Sequence, residues 1–118
     1  MSGWQQVCEL ERVPAGAGVC ALVDGEQVAV FRTAAGALHA VSNHDPFSGA
    51  MVISRGIVGT RGDRATVASP MHKQVFDLAS GTCLDDPSVA LAVHGVRLHG
   101  QSIEVQMQVQ VQVRQQAG

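Results

Sequence analysis

Val19-Cys20-Ala21-Leu22-Val23-Asp24-Gly25-Glu26-Gln27-Val28-Ala29-Val30-Phe31-Arg32 is the stretch that decides the fold class. Two apolar runs flank Asp24-Gly25, and an Asp-Gly pair between extended runs is a strong signal for a two-residue hairpin turn. The run after the turn, from Gln27 to Arg32, continues with alternation and carries the β-branched and aromatic residues that fit a pleated surface. Ala35-Gly36 marks the next turn, and Ala37-Leu38-His39-Ala40-Val41 resumes the extended pattern. Three strands with turns at short, regular spacing form a meander of the kind found in small sandwiches and barrels.

Outward from this meander the chain stays β. Ser42 to Ala50 reads as a loop, because Pro46 cannot donate to a ladder and biases its predecessor to extended geometry. Met51 to Val58 fits either a strand or a loop, and Gly59-Thr60-Arg61-Gly62-Asp63 reads as a turn. Strands are expected at Arg64–Ala68, His72–Leu78, Thr82–Leu84 (short) and Val89–Leu98, the last with a bulge at Gly95. From Ile103 to Val113 apolar and polar residues alternate with period two, the mark of a half-buried strand. That run is longer than a usual strand of about five or six residues, so pairing is expected near Ile103 to Met107. Residues 1–107 are therefore read as one β domain, and 108–118 as a weakly ordered, low-complexity Val/Gln tail. The only helical turn expected lies at Leu10 to Pro14.

Composition narrows the function classes. A chain of 118 residues holds one domain, and 46% apolar against 15% charged residues is a globular balance. Its aromatic residues are Trp4, Phe31, Phe47 and Phe76, with no tyrosine, so no base-stacking platform is available. A net charge of -2 without a basic block speaks against a phosphate-tracking surface, and no nucleic-acid partner is expected. No run approaches the roughly 18 apolar residues of a membrane span, and no signal peptide is expected. Cys8, Cys20 and Cys83 form no paired spacing, so they read as free thiols in a cytoplasmic protein. They are expected to be small buried hydrophobes, with Cys8 the most exposed.

Two polar loops stand out, Asn43-His44-Asp45-Pro46-Phe47-Ser48 and Ser69-Pro70-Met71-His72-Lys73-Gln74. Each follows a strand and one strand-turn-strand unit separates them, so they are expected side by side at one end of a sandwich. The meander, the first loop, and the string Ser-Pro-x-His-x-x-x-Phe-Asp-Leu-x-x-Gly resemble the Rieske-type ferredoxin fold, an all-β, small antiparallel β-sandwich. In that family the two loops supply two cysteines and two histidines to a [2Fe-2S] cluster. The resemblance places the two cysteines at Asn43 and Ser69 and the two histidines at Asp45 and His72, so only His72 keeps a ligand type. Asn and Ser do not supply the anionic sulfur such clusters need. No residue of this chain is accordingly expected to be catalytic, to bind a cofactor or to ligate a metal.

A closer resemblance covers about Trp4 to Val105. Trp4 with Val7-Cys8, Gly18 to Val23, Asn43-x-Asp45-Pro46-Phe47-Ser48, Ser54-Arg55-Gly56, Ser69-Pro70-x-His72-Lys73-Gln74-x-Phe76-Asp77-Leu78 and Cys83-Leu84-Asp85-Asp86 resemble the small subunit of NAD(P)H-dependent assimilatory nitrite reductase. The resemblance implies an accessory subunit that docks on a large subunit, the latter carrying FAD, an iron–sulfur cluster and sirohaem. The implied contact residues are Asn43, Asp45, Phe47, Ser48, Ser69, His72, Lys73 and Gln74; on the residues alone Asp45-Pro46 reads equally as a turn whose carboxylate takes nearby backbone N–H groups, Phe47 as a filler of the sandwich end, His72 as a hydrogen-bonded loop histidine, and Lys73 and Gln74 as a solvated face.

Three other readings remain open on the residues alone. One is a Rieske-type ferredoxin electron carrier, which the missing cysteines oppose. Another is a small metal-dependent enzyme using His44, Asp45 and His72, whose ligand types suit zinc or iron. The third is an interaction module with some other partner. The isolated chain could also form a homodimer, with the Val/Gln strand pairing at an exposed edge.

Overall fold

The computed structural model of the chain describes residues 3–107. The Val/Gln tail at 108–118 lies outside the described residues, as do the first two residues. Nine strands are described: β1 (Trp4–Glu9), β2 (Ala17–Val23), β3 (Glu26–Arg32), β4 (Leu38–Ser42), β5 (Ile57–Arg61), β6 (Arg64–Ala68), β7 (Val75–Asp77), β8 (Val93–His99) and β9 (Ser102–Gln106). Single helical turns occupy Leu10–Arg12 and Ile53–Arg55. All strand pairs are antiparallel, in a six-stranded sheet of order β1-β9-β8-β4-β3-β2 and a three-stranded sheet of order β5-β6-β7. No helix among the described residues is long and apolar enough to cross a membrane.

The expected meander is β2-β3-β4. Val19 pairs with Val30 and Val30 with Ala40, and Asp24 and Gly25 take φ of 52° and 79° at the first turn. Positive φ at both positions matches the turn's twist to that of the strands. Period two then divides β3 between two cores. Ala29 and Phe31 join Val41, Ile53, Val67, Phe76, Leu78, Cys83 and Leu91 between the two sheets. Val28 and Val30 join Val13, Val23, Ala40, Ile103 and Val105 inside the curled large sheet. Burial of each large apolar side chain is worth roughly 1.5–3 kcal/mol, so β3 is the element both cores share.

Several boundaries differ from expectation. β5 extends through Arg61 and only Gly62-Asp63 turns, with Gly62 at φ 65°. The strand expected at His72–Leu78 is only Val75–Asp77, because a turn closed by Lys73 N–H to Ser69 O (3.0 Å) precedes it and Lys73 sits at φ 64°. Thr82 and Cys83 form isolated bridges rather than a strand. β8 begins at Val93 rather than Val89. Gly95 is not a bulge. It is where β8 leaves β4, which pairs with Val93 and His94, and joins β9 through Gly95–Gln106. The bulge lies in β1, between Gln6 and Cys8, on a strand the sequence pattern did not reveal. Of the cysteines, Cys83 is buried, Cys8 half-buried and Cys20 exposed, so the expected order is corrected: Cys20 sits on the outer side of edge strand β2.

Two glycines separate backbone strain from steric fit. Gly62 and Gly81 both have positive φ, but a Cβ on Gly62 meets nothing within 4 Å, whereas one on Gly81 falls 2.1 Å from the Leu91 carbonyl oxygen. Gly62→Ala is expected to cost about 1–2 kcal/mol for left-handed backbone alone. Gly81→Ala should exceed the roughly 3 kcal/mol that bounds most substitutions. Urea unfolding of the two variants checks the difference, and equal losses would contradict the packing around Gly81.

Candidate functional site

Both polar loops emerge at the same end of the sandwich, the first from the end of β4 and the second from the end of β6. Asn43 begins the first. It is 1% exposed, and its side chain is spent inward. Its Nδ2 donates to Gln27 Oε1 (3.0 Å) and the Met51 carbonyl (3.1 Å), and stands 3.5 Å from Cys20 Sγ. Its Oδ1 accepts the Ser54 N–H at 2.7 Å. Backbone bonds from Asn43 N–H to Gln27 O (3.1 Å) and from Ile53 N–H to Asn43 O (3.1 Å) complete the hub. One amide thus ties β3, the end of the loop and the Ile53–Arg55 turn together.

Asp45 and Ser69 join the two loops. Both are buried, at 0% and 1% exposure, and the Ser69 hydroxyl donates to Asp45 Oδ2 at 2.5 Å. Asp45 Oδ1 accepts the Phe47 N–H at 2.9 Å, a turn that an Asp before a proline readily makes. Ser69 Oγ in turn accepts the Met71 N–H at 3.2 Å. Burial pushes the Asp45 carboxyl up, but hydrogen bonds from Ser69, Phe47 and Ser48 outweigh it and hold the group below the usual carboxylate value. The carboxylate is ionised and enclosed, a state that short charge-assisted bonds sustain.

The implied contact residues therefore divide. Asn43, Asp45 and Ser69 are buried, and their side chains bond inward rather than standing on the surface. Phe47 is half-buried against the intersheet core, its ring 6.1 Å from that of Phe76. Ser48 is half-buried and its Oγ accepts the Ala50 N–H at 3.2 Å. Gln74 is half-buried, and its Oε1 is enclosed without a hydrogen-bond partner among the described residues. His72 and Lys73 are exposed on the turn. His44 is exposed as well, and His44, Asp45 and His72 do not form a group that could hold a metal ion. Among the described residues no group of three or more His, Cys, Asp or Glu side chains could hold a metal ion.

Sequence reasoning did not connect Gln27, Cys20 and Ser54 to Asn43, nor read Met51, Ile57 and Met71 as exposed around the loops. At the opposite end, His39, Arg64 and Asp77 line a cleft between the sheets. Asp77 is saturated there by Arg64 (2.7 Å), Ser80 (3.1 Å) and the Ala79 N–H (3.0 Å), which leaves it a structural carboxylate.

The Rieske-like [2Fe-2S] domain family matches residues 3–106. The nitrite reductase (NADH) small subunit of Salmonella typhimurium is 41% identical over 99 residues, covering 83% of this chain and 92% of that protein. The solution NMR structure of the NAD(P)H nitrite reductase small subunit from Erwinia carotovora has a TM-score of 0.77 and 39% identity, covering 93% of this chain and 85% of that one. A nitrite reductase NAD(P)H large subunit from Klebsiella oxytoca is 33% identical over 102 residues, which cover 86% of this chain and 11% of that protein.

The cluster in the family's description requires thiolates and imidazoles at the loop ends. The residues present do not fit it. Asn43 is saturated by inward bonds, Asp45 and Ser69 bond to each other, and Cys83, the buried thiol, packs in the intersheet core.

Since Asp45 is more acidic folded than unfolded, its contribution is present above the ordinary carboxylate pKa of about 3.9. It is lost as pH falls through the lower folded value. Asp45→Asn should lower stability at pH 7 and flatten its decline below about pH 4. Ser69→Ala should cost about 1–3 kcal/mol at pH 7. Urea unfolding from pH 7 to pH 3 measures both, and a wild-type acid slope in Asp45→Asn would refute the assignment.

Proposed function

The chain belongs to the Rieske-like domain family and, within it, to the nitrite reductase small subunits, and from that membership we propose that it is the accessory small subunit of an NAD(P)H-dependent nitrite reductase, which reduces nitrite to ammonium. The observation that carries the reading is 41% identity across 92% of a nitrite reductase small subunit, a match over 99 residues of this chain. The large-subunit relative supports the partner, since the same domain there forms part of a chain named for the large subunit.

In this reading FAD, an iron–sulfur cluster and sirohaem belong to the large subunit, and the chemistry of nitrate assimilation takes place there, in the cytoplasm. This chain supplies no reacting atom and no redox centre. Its task is to dock, and the loop end is the part built for docking. Asn43 and the Asp45–Ser69 bond hold the loops from beneath, while Phe47, Ser48, His72, Lys73 and Gln74 lie on or near their surface. A preformed surface loses less ordering entropy on association than a mobile one.

Co-expression with the large subunit tests the reading. The two chains are expected to co-purify, and omission of this chain should reduce nitrite-dependent NAD(P)H oxidation. The chain purified alone should hold no stoichiometric iron by metal analysis. Undiminished turnover without this chain, or a bound [2Fe-2S] chromophore, would overturn the reading.

A further inference from the structure

Among the described residues, the large hydrophobic side chains that stand exposed are Leu22, Met51, Ile57, Met71 and Leu98. Four of these five lie at the loop end. Met51 bridges to His44 within the first loop, and the Met71 N–H bonds to Ser69 in the second. Ile57 pairs with Ala68, the residue before Ser69, and Leu22 pairs with Gln27, which holds Asn43. Ile57 and Leu22 are each 72% exposed and Met71 52%. Leu98 is at the far end of β8, beyond the part that pairs with β4. Flexible, polarizable Met side chains suit an adaptable contact, and clustered exposed apolar groups mark interaction surfaces.

Charge is sorted in the same way. Across 43–57 and 69–74 the exposed ionisable side chains are His44, Arg55, His72 and Lys73, and Asp45, the carboxylate within these segments, is 0% exposed. The chain as a whole carries -2. Acidic groups lie on the flanks instead, Asp24 and Glu26 beside Leu22, and Asp85 and Asp86 beside the start of β7, where Asp85 accepts the Val75 N–H at 2.8 Å. Lys73 is held in its turn at φ 64°, so its backbone is set before any partner arrives.

We propose that this end of the sandwich binds the large subunit with Met51, Ile57 and Met71 as its apolar centre and Arg55 and Lys73 as its charged rim. The receiving surface is accordingly an apolar depression edged with carboxylates. The inference rests on the accessory-subunit reading and deepens it, since it adds Met51, Arg55, Ile57 and Met71 to the contact, keeps Lys73 from that reading, and gives the chemistry of the surface opposite.

The test is affinity for the purified, cofactor-loaded large subunit, measured with the full-length chain. The variants are Met51→Glu with Met71→Glu, Ile57→Glu, Arg55→Glu with Lys73→Glu, and Leu98→Glu as the control at the far end. All the substituted side chains are exposed, and thermal melts confirm that each variant folds. The methionine pair and Ile57→Glu are expected to weaken binding at least about tenfold, as central interface positions do. The charge reversal should slow association several-fold at low salt, with the difference shrinking as salt rises. Leu98→Glu should bind as wild type does. Wild-type affinity in the apolar variants, or weakening confined to Leu98→Glu, overturns the surface while leaving the accessory role intact. Tighter binding on charge reversal overturns the carboxylate rim. Loss of self-association alone, with large-subunit binding kept, would assign the face to a second copy and overturn the proposal. A wild-type chain that fails to bind the large subunit at all overturns the accessory reading itself.

Discussion

Burial of both faces of β3 is the constraint on which the rest of the structure depends. A strand with water on one face needs one core, but β3 sends Ala29 and Phe31 to one and Val28 and Val30 to the other. Neither sheet can then shift without exposing a face of the other's support. A register slip of one residue would exchange the two sets, placing Phe31 in the smaller space occupied by valines. The ends of β3 inherit this rigidity. Gln27, near its start, accepts from Asn43 through both its backbone carbonyl and its side chain, so the first loop is anchored to the best-fixed strand of the molecule.

Beyond the contact of Phe47 with the intersheet core, polar bonds fix the loops. Ser69 and Asp45, 24 residues apart, close the gap between the loops with one charge-assisted bond. Such a bond is worth about 1.5–3 kcal/mol net, well short of the roughly 10 kcal/mol or more that structural metal binding can supply. The shortfall is spread over many partners. Asn43 alone receives or donates side-chain bonds to Ser54, Gln27 and Met51. A hub of this kind sets geometry through direction, since an amide with every donor and acceptor engaged admits one orientation.

Much of this was legible in the sequence, for reasons that differ from element to element. The meander was readable because Asp24-Gly25 has few other uses and because the flanking runs are apolar enough to declare themselves. β1 was not, since its bulge between Gln6 and Cys8 breaks period two. β5 was read partly as a turn because Gly59 and Gly62 look alike in sequence, although only Gly62 takes positive φ. His72 to Gln74 looked like strand because the following residues are apolar, and no pattern announces that Lys73 adopts a left-handed backbone. The two loops were identified and placed together, and Asp45-Pro46 was readable as a turn whose carboxylate takes a backbone N–H, yet the inward bonds of Asn43 and Ser69 were hidden. A polar side chain in a loop reads the same whether it faces water or a buried partner, and the partners Gln27 and Ser54 lie 16 and 11 residues from Asn43.

Those buried polar groups also explain what stands outside. At the loop end the usual arrangement is inverted: Asn43, Asp45 and Ser69 are inside, while Met51, Ile57 and Met71 are in water. Burying amide, carboxylate and hydroxyl is tolerable only because each is bonded, so Asn43, Asp45 and Ser69 hold their interior positions through those bonds. The apolar residues cannot collapse into those positions without displacing a bonded polar group and leaving it unpaired, which costs about 1–3 kcal/mol or more each. Exposed apolar surface forgoes roughly 25 cal/mol per Å², a penalty that Met51, Ile57 and Met71 carry among the described residues. The polar network thus occupies the interior beneath Met51, Ile57 and Met71, and in the docking proposed above association with a complementary surface is what would take them out of water.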